Sequence, residues 1–242
     1  MTTPRERMLA AIRAGINTNR AFLEAEMQKA PHTPPPHVHP PADDLQAQFV
    51  EEAQRAGAFP YICADAEAAL DTIQKILSEH GATSALTWDF AQIDLPGLEA
   101  LLNQMQITRL DTTVTVCGET QAQRVAHLHA IEHASVGISG ADLGIAESGT
   151  LAVMTGPGRG RLTTLFAPLH IAVLPASRLV RGLGAAFDAL RQQYGSDIFA
   201  EHANLTLITG PSRTGDIEMT LTTGVHGPGE LHIIVLNEEE AA

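Results

Sequence analysis

The sequence predicts an α/β domain with a three-layer α/β/α architecture around a mostly parallel, twisted sheet. From residue 45 onward, segments with helical periodicity alternate with short apolar runs, a pattern typical of parallel strands covered by helices on both faces. The chain has 242 residues, of which 44% are hydrophobic, so it can bury a core without disulfides or a metal. In such sheets, ligands bind outside the carboxyl ends of the strands.

The chain ahead of this domain divides into two segments. Residues 4–28 predict a helix, because Pro4 fits a first helical turn and apolar residues recur at helical spacing. Residues 30–43 are rich in proline, which removes backbone donors and favours an extended connector. We therefore predict an N-terminal helix with a proline-rich linker over residues 1–43 and an α/β domain over residues 44–242.

The elements of the α/β domain follow from the same periodicities. Strands are predicted where apolar runs are short and continuous, and helices where apolar residues recur every three to four positions. The predicted helices are LQAQFVEEAQRAG, EAALDTIQKILSEHG, LPGLEALLNQM, ETQAQRVAHLHAIEH and LVRGLGAAFDALRQQY. The predicted strands are FPYICA, ATSALT, TVTVC, ASVGI, GTLAVM, HIAVLP, ANLTLIT and LHIIVLN.

Charge and composition exclude several classes of partner. The chain has 15 Lys and Arg against 28 Asp and Glu, a net charge of −13, and only 4% aromatic residues. Such a surface repels phosphates and offers few rings on which bases can stack, so we expect neither nucleic acid nor a membrane as a partner. The first residues are charged where a signal peptide needs an apolar run, and no apolar stretch reaches the roughly 18 residues of a membrane span. The expected location is the cytoplasm.

Cysteine and histidine patterns predict no metal centre. Cys63 and Cys117 form no CxxC pair, so we expect no iron–sulfur cluster in this chain. The string His129-Ala-Ile-Glu132-His133 fits the inverted zincin pattern H-x-x-E-H. It has no clear third ligand, however, and its last histidine stands where the helix is expected to end, so we interpret it as a helix end. The histidines of the proline-rich linker lie on an extended segment that pre-organises no ligand geometry.

Glycine, small hydroxyl residues and isolated charges concentrate in three strings, GADLGIAESGT, TGPSRTGDIE and GVHGP, which begin at residues 140, 209 and 224. Glycines let backbone N–H groups turn towards a ligand. The loop GPGRGR, residues 156–161, adds arginines that suit an anion or simply form a turn. The candidate ligand-binding residues are Asp142, Ser148, Gly149, Thr150, Arg161, Gly210, Ser212, Arg213, Thr214, Asp216, Glu218 and Gly227.

The carboxylates Asp142, Glu147, Asp216 and Glu218 would repel one another if they converged, so Arg161 and Arg213 are candidate compensating partners. The alternative is that these strings supply turns and buried ion pairs that hold the loops.

The strings GADLGIAESGTLAV, GPSRTGDIE and GVHGP resemble those of the lactate-utilisation protein C family, which carries the LUD domain, over about residues 136–236. The resemblance implies the fold shared by glucosamine-6-phosphate deaminase, ribose-5-phosphate isomerase and coenzyme A transferases. It also implies cytosolic oxidation of L-lactate to pyruvate together with two iron–sulfur partner proteins. This chain has Ser148 where the family usually has Thr, and Gly215 where it often has Ala; both changes keep a hydroxyl or a small residue.

The resemblance also suggests roles for individual residues. Coenzyme A transferases carry a glutamate nucleophile in a Ser-Glu-Asn-Gly string, and Ala146-Glu147-Ser148-Gly149 is similar in outline. Glu147 and His226 are therefore the candidate catalytic acid–base groups, and Arg161 and Arg213 would hold a small carboxylate or phosphate. The identity of any cofactor is left open.

Two further functions stay open. One is a non-catalytic assembly or regulatory subunit that organises the iron–sulfur partners. The other is an independent acyl or phospho-sugar enzyme of the coenzyme A transferase-like fold.

Overall fold

The computed structural model describes residues 3–29, 43–110, 120–195, 198–199, 202–215 and 221–237. Contacts group the chain into two units, residues 1–35 and residues 36–242. The first unit contains helix α1 (Pro4–Lys29), over the segment predicted to be helical. Most of the predicted proline-rich linker lies outside the described residues, so the boundary at residue 43 stays a prediction.

The second unit contains the remaining elements. Its helices are α2 (Leu45–Arg55), α3 (Ala66–Glu79), α4 (Leu98–Gln104), α5 (Gln121–Ile131) and α6 (Leu183–Tyr194). Its strands are β1 (Phe59–Cys63), β2 (Ser84–Thr87), β3 (Thr108–Leu110), β4 (Val136–Gly140), β5 (Leu143–Ile145), β6 (Thr150–Thr155), β7 (Leu169–Pro175), β8 (Leu179–Val180), β9 (Asn204–Ile208), β10 (Arg213–Gly215), β11 (Leu221–Thr223) and β12 (Glu230–Leu236). The predicted strand TVTVC lies outside the described residues.

Six strands form the main sheet in the order β1-β12-β7-β4-β2-β3. Every neighbouring pair in this sheet is parallel. Each residue of β4 and β7 is buried, as expected for parallel strands that are covered on both faces. The predicted α/β fold with a mostly parallel sheet is confirmed.

A second, four-stranded sheet has the order β8-β5-β6-β9. Strand β6 is antiparallel to both β5 and β9, whereas β8 is parallel to β5. This sheet packs on α6 through a small separate core that includes Ile145, Met154 and Leu190. The predicted strands GTLAVM and ANLTLIT thus belong to this second sheet and not to the main one. The sequence does not predict this division, because an apolar run specifies a strand but not its partner.

Short polar side chains fix where several helices begin. Asp44 accepts hydrogen bonds from the backbone N–H groups of Gln46 and Ala47 at the start of α2, both at 3.0 Å. Asp65 accepts from the Ala68 N–H at the start of α3, at 2.8 Å. These bonds satisfy N–H groups that have no partner inside the helix.

The chain passes from the main sheet to the second sheet at Asp142. The Ala141 N–H donates to the Val173 carbonyl on β7 at 3.0 Å, and the Asp142 N–H donates to the Ala152 carbonyl on β6 at 2.9 Å. The Asp142 side chain is fully buried. This residue therefore lies at the seam between the two sheets.

Three donors surround the Asp142 carboxylate. Its Oδ2 accepts from the Met154 N–H at 2.6 Å, and its Oδ1 accepts from Arg159 Nη1 at 2.7 Å and from Tyr194 Oη at 2.5 Å. The Arg159 guanidinium also lies 4.8 Å from the ring centroid of Trp88. The carboxylate thereby joins strand β6, helix α6 and the loop that carries Arg159, and Arg159 in turn contacts the segment after β2 through Trp88.

His170 is a polar residue in the middle of the apolar strand β7. It is 1% exposed, and its Nε2 lies 2.9 Å from the Ser139 hydroxyl on β4. Its Nδ1 has no hydrogen-bond partner among the described residues. Burial lowers the pKa of His170 from its ordinary 6.5 to about 4, because the charged imidazolium is poorly solvated there.

We expect Asp142→Asn to destabilise the fold by about 3–5 kcal/mol, because it leaves the buried Arg159 charge without a counter-ion. Urea denaturation measures the change. Asp188→Asn is the matched control: Asp188 pairs with Arg191 at 3.5 Å, and both side chains are 60% exposed, so the expected loss is below about 1 kcal/mol. Equal losses in the two variants would contradict a structural role for the buried pair.

We expect the stability of the protein to fall as pH drops below 6.5, with part of the loss due to His170. The unfolded state binds a proton at this residue near pH 6.5, whereas the folded state binds it only near pH 4, so about 3 kcal/mol of folding free energy disappears across that window. In His170→Gln the slope of unfolding free energy against pH should flatten there. His129→Gln, at an exposed position of α5, should keep the wild-type slope. A wild-type slope in His170→Gln would refute the assignment.

Candidate functional site

Two neighbouring cavities are lined by half of the predicted site residues. The carboxylate cavity, of about 520 Å³, is lined by Glu52, Arg55, Ala56, Ile145, Glu147, Ser148, Thr150, Leu183, Leu207 and Thr209. The histidine cavity, of about 240 Å³, is lined by Thr164, Leu165, His170, Thr206, Leu207, Ile208, Thr209, Gly210, Pro211, Ser212, His226, Gly227, Pro228 and Leu231. Leu207 and Thr209 line both, so the two cavities share a wall at the end of β9.

In the carboxylate cavity, Glu147 caps a helix. Its Oε1 accepts a hydrogen bond from the N–H of Leu183, the first residue of α6, at 2.9 Å. The N-cap residue, Gly182, has no side chain to cap α6, so the Glu147 carboxylate takes that place, where the helix dipole favours negative charge. The predicted reactive carboxylate thus has a structural contact.

A chain of hydroxyl groups links two of the predicted strings within this cavity. Ser148 Oγ lies 2.7 Å from Thr150 Oγ1, which lies 2.7 Å from Thr209 Oγ1. Arg55 is already paired with Glu51 at 2.5 Å and Glu52 at 2.6 Å. An anion entering here would meet two carboxylates and a guanidinium whose charge is already compensated.

Gly149 and Gly210 allow the end of α2 to pack closely against the predicted strings. Their φ angles are +58° and +73°, and a Cβ would lie 2.1 Å from the Ala53 nitrogen in the first case and 2.2 Å from the Ala56 carbonyl oxygen in the second. A side chain at either position would meet backbone atoms, which cannot move aside cheaply. These glycines have a packing role in the fold.

In the histidine cavity, the strings TGPSRTG and GVHGP come together. The Ser212 N–H donates to the Pro228 carbonyl at 2.8 Å, and the Gly224 N–H donates to the Ser212 carbonyl at 2.9 Å. Strand β10 lies within the first string and pairs antiparallel with β11, which ends just before the second string. His226 is exposed at the cavity, whereas the buried His170 lines it from the main sheet.

The polar groups of this cavity are hydroxyls, imidazoles and backbone amides. No carboxylate is found among its described lining residues. Because no fixed negative charge opposes it, the histidine cavity suits a small anion better than the carboxylate cavity does.

Other predicted site residues lie elsewhere. Asp142 is buried with Arg159 and lines neither cavity. Arg213 is exposed, and its Nη2 donates to the Ala56 carbonyl at 2.6 Å. Arg161 is exposed and Thr214 is half-buried, and neither lines either cavity.

Asp216 and Glu218 lie outside the described residues. The structure therefore brings Glu147, Ser148 and Thr150 to one cavity and Gly210, Ser212, His226 and Gly227 to the other. The two candidate catalytic residues, Glu147 and His226, line different cavities.

Two residues matter here in ways that the sequence patterns do not indicate. Arg159, which the sequence presents with Arg161 as an arginine of the GPGRGR loop, pairs with Asp142. His170 begins the predicted strand HIAVLP. A single histidine in the otherwise apolar run HIAVLP was the available signal, because a buried polar side chain needs a partner.

Comparison with known proteins places the chain in context. The family model described as LUD domain matches residues 46–236. Lactate utilization protein C of Halalkalibacterium halodurans is 33% identical over 166 residues, which cover 69% of this chain and 68% of that protein. Lactate utilization protein C of Shouchella clausii is 33% identical over 173 residues, covering 72% and 69% respectively.

The fold has a solved counterpart. The crystal structure of a DUF162 family protein from Deinococcus radiodurans superposes with a TM-score of 0.55 at 19% identity, covering 79% of this chain and 96% of that one. Among the described residues, no helix is long and apolar enough to cross a membrane. From the matched domain and the curated relatives, we conclude that the chain belongs to the lactate utilization protein C family of LUD-domain proteins.

Proposed function

We propose that this protein is a component of an L-lactate utilisation system and that it binds a small carboxylate or phosphate in the histidine cavity. The name shared by the curated relatives, lactate utilization protein C, supports the first part. The family resemblance extends the proposal to cytoplasmic oxidation of L-lactate to pyruvate, together with iron–sulfur partner proteins.

The iron–sulfur centres are assigned to those partners. Cys63 is buried, and burial raises the pKa of its thiol, which disfavours the thiolate that a cluster requires. Cys117 lies outside the described residues. Two cysteines in 242 residues also fall short of the four ligands of a cysteine-bound cluster.

The observation that carries the anion proposal is the unpaired Nδ1 of His170 in a cavity lined by hydroxyls. When the Ser139 hydroxyl donates to Nε2 of a neutral His170, the proton lies on Nδ1. That N–H has no acceptor among the described residues, and a ligand oxygen in the cavity that His170 lines would supply one. The Ser212 hydroxyl and His226 supply further donors at the mouth of the cavity, and a hydrogen bond between a charged ligand and such donors is stronger than a neutral one.

A second candidate function is supported by Glu147. Because its carboxylate caps α6, it contributes to the fold without any chemistry. This favours a non-catalytic assembly or regulatory subunit that binds the anion as a signal while the partner proteins carry the redox reaction.

Anion binding is tested by titrating the chain with L-lactate, pyruvate and inorganic phosphate in a calorimeter. We expect Ser212→Ala and His226→Ala to weaken the tightest of these interactions by about 10- to 100-fold, the loss of one hydrogen bond to a charged group. His129→Ala, an exposed histidine on α5, is the control and should bind like wild type. Unchanged affinity in both cavity variants would eliminate the histidine cavity as the anion site.

The roles of catalyst and assembly subunit are separated by Glu147→Gln. The glutamine carbonyl oxygen still accepts from the Leu183 N–H, so the helix cap is kept while the acid–base group is lost. In a mixture with purified iron–sulfur partners, we expect this variant to support lactate-dependent electron transfer within about twofold of wild type, since only a positioned general acid or base would cost 100-fold or more. A drop of that size, with the melting temperature retained, would restore Glu147 as a catalytic residue.

A further inference from the structure

A second histidine cluster lies on the opposite face of the main sheet from the histidine cavity. In the register of β12 and β7, Glu230 pairs with Leu169 and His232 pairs with Ile171. His170 stands between these two β7 residues, so its side chain points to the other face. Glu230 and His232 are two residues apart on β12 and therefore share one face.

His80, the residue that directly follows α3, completes this cluster. Its Nε2 lies 3.1 Å from Glu230 Oε2, and His232 Nε2 lies 3.3 Å from the same oxygen. All three atoms lie within 4.8 Å of one another. Two histidines that are distant along the chain thus direct the same ring nitrogen at one carboxylate oxygen.

The hydrogen bond on the far side of His80 fixes its proton. His80 Nδ1 lies 2.8 Å from the Ile76 carbonyl oxygen, which can only accept, so Nδ1 carries the hydrogen. In the neutral ring, Nε2 then carries a lone pair, which faces the Glu230 carboxylate at hydrogen-bond distance. Two acceptors are stable in this geometry only when a proton or a cation lies between them.

His232 is held in a similar way. Its Nδ1 lies 3.1 Å from the Tyr61 hydroxyl, and its ring stacks on Phe59 with centroids 4.9 Å apart. Both histidines therefore have Nδ1 bound to an oxygen of the protein and Nε2 directed at the cluster. Metal-binding histidines show this pattern, in which an outer partner fixes the ring and its tautomer.

We propose that His80, Glu230 and His232 bind a divalent cation of the zinc class. Two histidines and one glutamate are a known ligand set for catalytic zinc, with the fourth position left for water. Ligand atoms about 2.0–2.1 Å from a tetrahedral metal are about 3.3–3.4 Å apart. The two nitrogen–oxygen separations in this cluster, 3.1 and 3.3 Å, are close to that spacing, and the two nitrogens lie within 4.8 Å of each other.

The remaining coordination position has space beside it. A cavity of about 430 Å³ is lined by His80 and Glu230 of the cluster and also by Glu132, His133 and Ser135. The end of the H-x-x-E-H string thus borders the same cavity as the cluster. His133 is 87% exposed and Glu132 is bonded to His129 at 2.9 Å, and the three converging ligand atoms come from neither residue.

The test is a cobalt titration of the full chain after treatment with a chelator. We expect one cobalt ion per chain with the visible absorption of tetrahedral Co²⁺, and displacement by Zn²⁺. His80→Ala and Glu230→Gln should weaken binding by more than about 100-fold. Tyr61→Phe, which removes only the outer partner of His232, should weaken it by about 10- to 100-fold.

Two controls keep the test decisive. Circular dichroism confirms that each variant is folded, and His133→Ala should bind cobalt like wild type. The proposal is wrong if the wild-type chain takes up no stoichiometric cobalt, which would leave a proton as the bridge between His80 and Glu230. It is also wrong if His133→Ala abolishes binding while Glu230→Gln does not, because the metal would then belong to the H-x-x-E-H string.

Discussion

The buried pair of Asp142 and Arg159 joins the two sheets of this fold. Asp142 stands where the chain leaves the main sheet, and its carboxylate holds β6, α6 and the loop that carries Arg159. A buried carboxylate is tolerated only with such partners. The histidine cavity is lined by residues of β9 from the second sheet and of β7 and β12 from the main sheet, so it also lies where the two sheets meet.

Several charged side chains of the sequence motifs stabilise the fold through ion pairs and hydrogen bonds. The charge of Asp142 is compensated by Arg159, and the Glu147 carboxylate caps α6. Arg213 donates to the carbonyl of Ala56, the residue that follows α2. The groups that remain at the histidine cavity are hydroxyls, imidazoles and amides. A net charge of −13 is thus compatible with a local anion site, because the cavity lacks fixed negative charge among its described residues.

The sequence predicts local secondary structure better than it predicts which distant residues come together in the fold. Helical periodicity indicates α2 and α3, because this signal acts within a few residues. The division of the strands between two sheets depends on which strands pair with each other, and apolar runs do not encode that pairing. The link between Asp142 and Arg159 and the meeting of His80 with Glu230 join residues that are distant along the chain, so only the tertiary fold shows them. Residues of the GPSRTG and GVHGP strings line the histidine cavity, as His170 does, while the ligand-binding role of the two strings stays a prediction.

Binding of a small anion at His170 can be seen directly in a crystal structure of the protein grown with L-lactate, pyruvate or phosphate. We expect a ligand oxygen within hydrogen-bond distance, about 2.7–3.2 Å, of His170 Nδ1, with Ser212 or His226 as a second donor. A ligand bound instead beside Glu147, with His170 Nδ1 still without a partner, would contradict it.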